Sequence, residues 1–239
     1  MTANPTDPTP APRRRIFLMR HGSVTYFDDA GKPFQPDSVA LNGDGRAQAS
    51  AAGQAFAAAH VRFDRVIASS LPRTVETARL VLAETGQQSA IDSWPELDEL
   101  RGGRLAAIPD AHLRDAFTGA FEGMAGADKR FLGGESVGEL IDRVHPALAR
   151  LRADPHWDTV LLVLHGGVNC AILSFALTGQ RIFLGALAQG AGCINALDVG
   201  ADDSDWVVRF VNYTPPAPLH GAVRTTTMEA LFEQYKKSR

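Results

Sequence analysis

Two apolar runs in the chain end abruptly in a histidine followed by a glycine. The run from Ile16 to Met19 leads into Arg20-His21-Gly22, and the run from Val160 to Leu164 leads into His165-Gly166-Gly167. A short, continuous apolar run that stops at glycine is typical of a buried strand. Ligands of open α/β sheets bind at the carboxyl ends of such strands. The pattern therefore predicts two strands that could place two imidazoles side by side.

The rest of the chain alternates between strand and helix patterns. Strands are predicted at about 64–68, 158–164, 193–199 and 206–213, and helices at about 42–59, 70–84, 110–124, 135–153, 168–177 and 227–237. Asn42 or Asp44 is predicted to cap the first helix, and Ser69 or Ser70 the second. This alternation predicts an α/β fold with three αβα layers, a mostly parallel central sheet and a small helical cap insertion that includes about 104–133.

Two segments do not fit either periodic pattern. Residues 1–14 are predicted to be a disordered tail because Met1 to Pro12 is rich in proline, threonine and alanine, which leaves residues 15–239 as a single domain. The polar stretch from Thr25 to Leu41 is too broken for a helix or strand and is long for a connector. Loops of this length are often functional, so it is predicted to line or cover a site.

Composition narrows the class of protein. The 239 residues are 45% hydrophobic and carry a formal net charge of −3, which does not favour nucleic acid or an anionic membrane as a partner. Cys170 and Cys193 lie in apolar segments without metal-ligand spacing, so both are predicted to be buried free thiols. Arg13 to Leu18 resembles a twin-arginine export signal, but its apolar region is cut short at Arg20, so a cytoplasmic location is expected. A homodimer is left open.

Several arginine and histidine side chains are predicted to lie at the same edge of the sheet. Arg20, His21 and His165 follow two strands, and Arg73 lies in the first turn of the helix after a third. Such a cluster repels itself unless an anion fills it, and a dianionic phosphoryl group suits the arginines. The sequence has no Walker-type loop and no evident acidic pair for magnesium, so we expect neither a metal nor a cofactor.

Phosphoryl chemistry without a metal requires a protein nucleophile. His21 is the candidate, with the arginines and a protonated His165 stabilising charge on the phosphoryl oxygens. The leaving alkoxide needs a proton, which a nearby carboxylic acid could supply before activating water. Glu96 and Glu99 are both candidates for this acid.

The ordered set Arg20-His21-Gly22, Ser69 to Arg73, the Glu99 loop and His165-Gly166 resembles the histidine phosphatase superfamily, in its phosphoglycerate mutase-like branch. The resemblance spans about residues 15–213. It implies that His21 is phosphorylated, that Glu99 rather than Glu96 is the acid/base, and that no metal takes part. It implies these phosphate-pocket residues: Arg20, Arg73, His165 and Gly166.

Some positions depart from the family pattern. Phe27 stands near the place of a phosphate-contacting asparagine, Asn42 replaces a common threonine, and Cys170 replaces an arginine. Three residues are candidates to supply the missing polar contacts: Ser23, Thr25 and Asn169.

Two further groups of residues allow more than one interpretation. The stretch from Gly133 to Ser136 is either a family motif or a helix start capped by Glu135 or Ser136. The apolar side chains of Phe117, Phe121 and Met124 are predicted to be core or cap lining.

Three functions remain. The leading hypothesis is a metal-independent phosphomonoesterase that acts on a small phosphorylated metabolite through phosphohistidine at His21. The alternatives are phosphoglycerate mutase-type phosphoryl transfer and a non-catalytic phosphate-binding module.

Overall fold

The structure is a computed structural model that describes residues 13–28, 32–220 and 224–237. Its strands are β1 Arg14–Arg20, β2 Arg65–Ala68, β3 Ile91–Ser93, β4 Met124–Ala125, β5 Thr159–Leu164, β6 Phe183–Leu184, β7 Ile194–Val199 and β8 Trp206–Tyr213. Its α-helices are α1 Gly43–Ala58, α2 Pro72–Thr85, α3 Leu113–Thr118, α4 Val137–Ala153, α5 Gly166–Thr178 and α6 Thr227–Lys237. Of the predicted tail at 1–14, residues 1–12 lie outside this description. Strand structure begins at Arg14, one residue before the predicted boundary.

The central sheet brings the two histidine-bearing strands together. Its strand order is β3-β2-β5-β1-β7-β8, with β3, β2, β5 and β1 parallel and with β7 and β8 antiparallel. In the pairing of β1 with β5, Arg20 is opposite Leu164, and the N–H of His21 donates to the Leu164 carbonyl at 3.0 Å. His21 and His165 are therefore neighbours at one edge of the sheet, as the two apolar runs predict.

The apolar runs are continuous because both faces of the sheet are covered. Along β1, Ile16 and Leu18 pack into one hydrophobic cluster, whereas Phe17 and Met19 pack into the other. The first cluster includes α4 and α5 through Leu140, Val144, Ile172 and Leu173, and the second includes α1 and α2 through Ala52, Phe56, Ala78 and Val81. This period-2 division of one run between two cores is the pattern of a doubly covered sheet. The predicted three-layer α/β fold with a mostly parallel sheet is confirmed.

Helix caps agree with the sequence in two cases and differ in one. Asn42 caps α1 by accepting from the Gly45 N–H at 2.8 Å, and Ser136 forms a capping box with Glu139 at the start of α4. The prediction that Ser69 or Ser70 caps α2 is wrong. Leu71 is the N-cap residue and makes no side-chain capping bond. Proline at the first helical position needs no donor there, and this leaves the Ser69 hydroxyl for another contact.

The region predicted as part of a cap is less helical than expected. In place of one helix over 110–124, short 3-10 turns flank α3, and β4 pairs with β6. Gly119 starts one of these turns, and Gly123 has a positive φ of 57°, so the helical pattern is interrupted twice. Phe117 is buried, and Phe121 packs against the core, but Met124 is 68% exposed and is not a lining residue.

The two thiols are placed as the sequence predicts. Cys170 and Cys193 are buried and free, and burial raises the pKa of Cys193 to about 11. Among the described residues, no helix combines the length and the apolar character that crossing a membrane requires.

Candidate active site

The imidazole of His21 is buried and has a fixed tautomer. Its side chain lies just beyond β1, and the residue is only 2% exposed. Nδ1 lies 2.7 Å from the carbonyl oxygen of Gly22. Because a carbonyl only accepts, Nδ1 carries the proton, and a neutral ring then has its lone pair on Nε2. Nε2 is the atom with which His21 can attack an electrophile.

A close backbone crossing explains the glycine after His21. A Cβ added at Gly22 would lie 2.2 Å from the carbonyl oxygen of Gly45 in the first turn of α1. A Cβ at Gly45 would likewise lie 2.1 Å from the Ser23 carbonyl oxygen. The chain leaving β1 therefore touches α1 backbone to backbone, which fixes where the His21 ring emerges.

His165 faces His21 and is oriented by a serine. The two ring centroids are 5.1 Å apart at 65°. Nε2 of His165 lies 2.7 Å from the Ser69 hydroxyl, which also contacts Thr74 Oγ1 at 2.9 Å. Nδ1 of His165 is buried and has no hydrogen-bond partner among the described residues. Ser69 thus occupies one ring nitrogen and leaves the other for a ligand.

Two arginines complete the cluster, each anchored by a backbone carbonyl. Nη1 of Arg20 donates to the carbonyl oxygen of Gln189 and, at 2.8 Å, to Thr227 Oγ1. Nη1 of Arg73 donates to the Pro36 carbonyl at 2.8 Å. The Nε atoms of both arginines are buried and, within the described part of the chain, have no acceptor. Each guanidinium is therefore held in place through Nη1, and its Nε–H can donate to a ligand.

Glu99 lies at the same edge, at the start of α5. Its Oε1 accepts from the N–H groups of Leu100 at 2.8 Å and Gly167 at 3.2 Å. A Cβ added at Gly166 would lie 3.7 Å from Arg20 Nε and 3.9 Å from Glu99 Oε2, so the carboxylate and the guanidinium flank this glycine. Glu96 instead pairs with Arg150 at 2.9 Å on the surface. Of the two candidate acids, the structure brings only Glu99 to the cluster.

The pocket favours neutral imidazoles in the absence of an anion. Burial, followed by the positive charges of Arg20 and Arg73, holds the pKa of His21 well below its ordinary value of 6.5. Burial and the neighbouring His21, Arg73 and Arg20 lower the pKa of His165 in the same way. This differs from the protonated His165 assumed from sequence. A bound dianion acts in the opposite direction, because its charge stabilises an imidazolium.

The described part of segment 25–41 packs with α3 and α6 beside the pocket, and we call these three elements the rim. Rings from all three meet, with Tyr235 of α6 5.5 Å from Phe117 of α3 and 6.4 Å from Phe27. The rim reaches both arginines, through Pro36 to Arg73 and through Thr227 to Arg20. Of the segment 25–41 that is predicted to line or cover the site, Pro36 contacts Arg73, and residues 29–31 lie outside the described part of the chain.

The residues proposed to supply missing polar contacts differ in what they contact, and the buried Oδ1 of Asn169 has no partner among the described residues. The hydroxyl of Thr25 accepts from Asn42 Nδ2 at 3.3 Å, and the backbone of Ser23 contacts Gln48 and Asn42. Asn169 is fully buried and donates to Gln189 Oε1 at 3.0 Å, so it lies behind Arg20. Within the described residues, no three histidine, cysteine, aspartate or glutamate side chains form a group that could bind a metal ion.

Sequence reasoning missed several residues that orient the pocket. Ser69 was predicted only as a cap, although its place directly after β2 was a usable signal. Three others lie far along the chain from their partners and have no local signature: Arg143, Gln189 and Thr227.

The family model of the histidine phosphatase superfamily, branch 1, matches residues 16–214, which include every pocket residue named above but not α6 of the rim. The chain belongs to this superfamily. The match runs from β1 through β8, so it covers the central sheet and the elements that carry both histidines.

Named relatives of the chain include both mutases and phosphatases. A probable phosphoglycerate mutase, GpmB, from Salmonella paratyphi A is 34% identical over 165 residues, or 66% of this chain and 73% of that protein. A mycobacterial glucosyl-3-phosphoglycerate phosphatase solved with VO3 has a TM-score of 0.65 at 27% identity over 83% of this chain and 99% of that one. A putative α-ribazole-5'-P phosphatase from Escherichia coli has a TM-score of 0.60 at 25% identity, covering 83% and 96%.

Proposed function

We propose that this protein is a metal-independent phosphomonoesterase that cleaves a small phosphate ester through a phosphohistidine on His21. Three of the six buried side-chain nitrogen or oxygen atoms without a partner in the described part of the chain are Arg20 Nε, Arg73 Nε and His165 Nδ1. All three are nitrogens of predicted phosphate ligands around a buried imidazole. Burying such groups unpaired is costly unless a ligand satisfies them. This observation carries the proposal.

The first step forms the phosphohistidine. Nε2 of His21 attacks phosphorus, the P–O bond to the ester oxygen breaks, and a protonated Glu99 gives its proton to the leaving alkoxide. The N–H groups of Arg20, Arg73 and His165 stabilise the negative charge on the remaining phosphoryl oxygens.

The second step returns the enzyme to its starting state. The Glu99 carboxylate removes a proton from water, and the water oxygen attacks phosphorus as the P–N bond to His21 breaks. The products are inorganic phosphate, neutral His21 and protonated Glu99.

Hydrolysis of 4-nitrophenyl phosphate in EDTA tests the proposal. We expect turnover that is insensitive to EDTA and that falls by about 10⁴-fold or more in His21→Ala, because the nucleophile is gone. His156→Ala, which changes a histidine on the surface with an 87% exposed side chain, is the matched control and is expected to be unchanged. Full activity of His21→Ala would refute the proposal.

Phosphoglycerate mutase-type transfer is the second candidate, because the 34% identical relative is named a probable mutase. Incubation with 3-phosphoglycerate separates the two functions. Free phosphate supports the phosphatase, whereas isomerised phosphoglycerate supports the mutase. A non-catalytic binding module would trap no acid-labile phosphohistidine after rapid quenching with any phosphate ester.

The substrate can be sought among phosphorylated metabolites of the kinds named for the relatives. A panel that includes glucosyl-3-phosphoglycerate, α-ribazole 5'-phosphate and simple sugar phosphates gives a kcat/KM for each. The ester with the highest value identifies the leaving group that the rim prefers.

A further inference from the structure

One arginine outside the pocket contacts the backbone on both sides of the proposed acid. Arg143 projects from α4 to the segment that carries Glu99. Its Nη1 donates to the carbonyl oxygens of Glu96 at 2.9 Å and Asp98 at 2.7 Å, and its Nη2 donates to that of Glu99 at 3.0 Å. The side chain is only 15% exposed. Three carbonyls of one four-residue stretch therefore share a single guanidinium.

The other edge of the same guanidinium binds Glu135. Nε of Arg143 donates to Oε1 of Glu135 at 2.7 Å, and Nη2 donates to Oε2 at 2.9 Å. Oε2 also accepts from the N–H of Arg101 at 3.0 Å. Burial opposes the charged form of Glu135, but the bonds from Arg143 and Arg101 outweigh it and lower the pKa of this carboxyl. Glu135 thus connects Arg143 to the chain two residues beyond Glu99.

Together these contacts use every donor of the arginine. A guanidinium has five N–H groups in a planar fork, and five hydrogen bonds leave Arg143. A lysine offers three donors at one point and could not reproduce this pattern.

The segment between α3 and α4 approaches closely enough for this arrangement. A Cβ at Gly134 would lie 2.3 Å from the carbonyl oxygen of Arg101, so backbone contacts backbone there. Only then does the following Glu135 reach the N–H of Arg101 and the fork of Arg143.

The segment around Glu99 depends on contacts from other elements, because it has little regular secondary structure to hold its backbone. A 3-10 turn at Pro95–Leu97 precedes Glu99, and residues 98–104 form neither helix nor strand. A second anchor is the side chain of Asp98, which accepts from the N–H and hydroxyl of Ser70 at 2.8 Å. The carboxylate of Glu99 reaches Gly167 and the flank of Arg20 only if this irregular backbone stays in place.

We infer that Arg143 and Glu135 form a positioning pair that fixes the backbone of residues 96–101 so that Glu99 can transfer its proton to the leaving oxygen. The inference rests on the proposed function, in which Glu99 is the acid and base. Neither residue touches the phosphoryl group. Arg143 acts on the reaction through Glu99, and Glu135 acts through Arg143.

Leaving-group dependence separates this role from simple stabilisation of the fold. A nitrophenolate leaves readily without a proton, whereas an alkoxide requires one. A displaced Glu99 therefore slows the cleavage of alkyl phosphates much more than that of 4-nitrophenyl phosphate. A smaller folded fraction lowers both rates by the same factor.

The experiment measures kcat/KM in EDTA for phosphate esters whose leaving groups span a wide range of pKa. For Arg143→Gln we expect a loss of about 10²-fold with alkyl esters and of less than about tenfold with 4-nitrophenyl phosphate. Glu135→Gln is expected to show the same trend with smaller losses. Arg150→Gln is the matched control, since Arg150 lies on the same helix and contacts the same segment through the exposed side chain of Glu96.

Repeating the substitution in a variant that already lacks the Glu99 carboxylate tests whether Arg143 acts through Glu99. In Glu99→Gln, the change Arg143→Gln is expected to add no leaving-group-dependent loss, because the group it positions is already disabled. Circular dichroism and thermal unfolding report folding. If Arg143→Gln does not fold, Arg143→Lys carries the same test, because it keeps the charge and some of the donors.

Two outcomes overturn the inference and leave the proposed function intact. One is an equal loss for all leaving groups in folded Arg143 variants, and the other is a further graded loss in the Glu99→Gln background. Failure of the proposed function has a different signature, which is turnover that survives His21→Ala.

Discussion

The pocket and the rim of this protein place their side chains in contrasting ways. In the pocket, His21, Arg73 and His165 follow strands of one sheet and are at most 2% exposed. In the rim, segment 25–41 has only the isolated bridges Val24–Leu41 and Phe27–Pro33 and one 3-10 turn among its described residues. Adjacent parallel strands fix their ends relative to one another, whereas irregular segments can change without disturbing a core. On the proposed function, we expect the pocket to carry out the phosphate chemistry and the rim to select the substrate.

The largest effect is expected from the pocket, with Arg73→Lys. A lysine cannot both keep the Pro36 carbonyl and offer a planar fork to phosphate, so kcat/KM should fall by about 10²–10³-fold. Arg79→Lys, an exposed change on the same α2, is the control. A loss in kcat/KM that is similar for every ester in a panel supports a role of Arg73 in phosphate chemistry rather than in substrate choice. A loss confined to some esters would assign Arg73 to substrate choice instead.

The rigidity of the pocket can be tested at the crossing of β1 and α1. Gly22→Ala places a methyl group 2.2 Å from the Gly45 carbonyl oxygen, and we expect the free energy of unfolding to fall by about 2 kcal/mol. Gly43→Ala is the control, because a Cβ there meets no atom within 4 Å. Urea unfolding measures both variants. An unchanged stability of Gly22→Ala would mean that the crossing shifts freely, and the contrast with the rim would weaken.

The pH dependence of activity tests whether the pocket arginines lower the pKa of His21. After burial, Arg20 and Arg73 are the causes that lower the pKa of His21. Arg20→Met removes one positive charge, so protonation becomes easier, the pKa of His21 rises, and the acidic limb of kcat/KM moves to higher pH. NMR titration of the ring and the pH profile report this shift, with Arg79→Met as the control. A shift to lower pH would contradict the argument.

The smallest effect is expected from the rim, with Thr227→Val. This change keeps the shape of the side chain but removes the acceptor for Arg20 Nη1. We expect a loss of about 1 kcal/mol, or about fivefold in kcat/KM, because Arg20 keeps the Gln189 carbonyl. Thr225→Val, an exposed change just before α6, is the control. A loss as large as that of Arg73→Lys would place α6 in the pocket and remove the distinction.

Much of the pocket could be predicted because its signals are local. A continuous apolar run predicts a doubly covered strand, and the residue after the run must lie at the sheet edge. Arg20, His21 and His165 follow from this rule, and Arg73 follows from a strand and a proline-started helix. The structure brings all four together, within a fold that the alternation of elements predicted.

Predictions failed where two weak local signals competed. Serine before proline suggested a helix cap, but Ser69 turns its hydroxyl to His165, 96 residues away. The periodic apolar residues at 110–124 suggested one helix, but Gly119 and Gly123 divide it. In both cases, a tertiary contact or a backbone conformation overrode the local preference.

The sequence by itself determined the sheet, its carboxyl edge and the cations gathered there, because burial on two faces imposes a pattern that can be read residue by residue. The family resemblance favoured Glu99 over Glu96, but only the tertiary structure places one carboxylate beside these cations and shows what supports it. From the residues alone Glu96 and Glu99 were equal candidates, and the fold directs one to Arg150 and the other to Gly167. The contacts of Arg143 with Glu99 and of Thr227 with Arg20 join residues 44 and 207 positions apart. Contacts between such distant residues leave no periodic trace in the chain, since they arise only when separate elements pack.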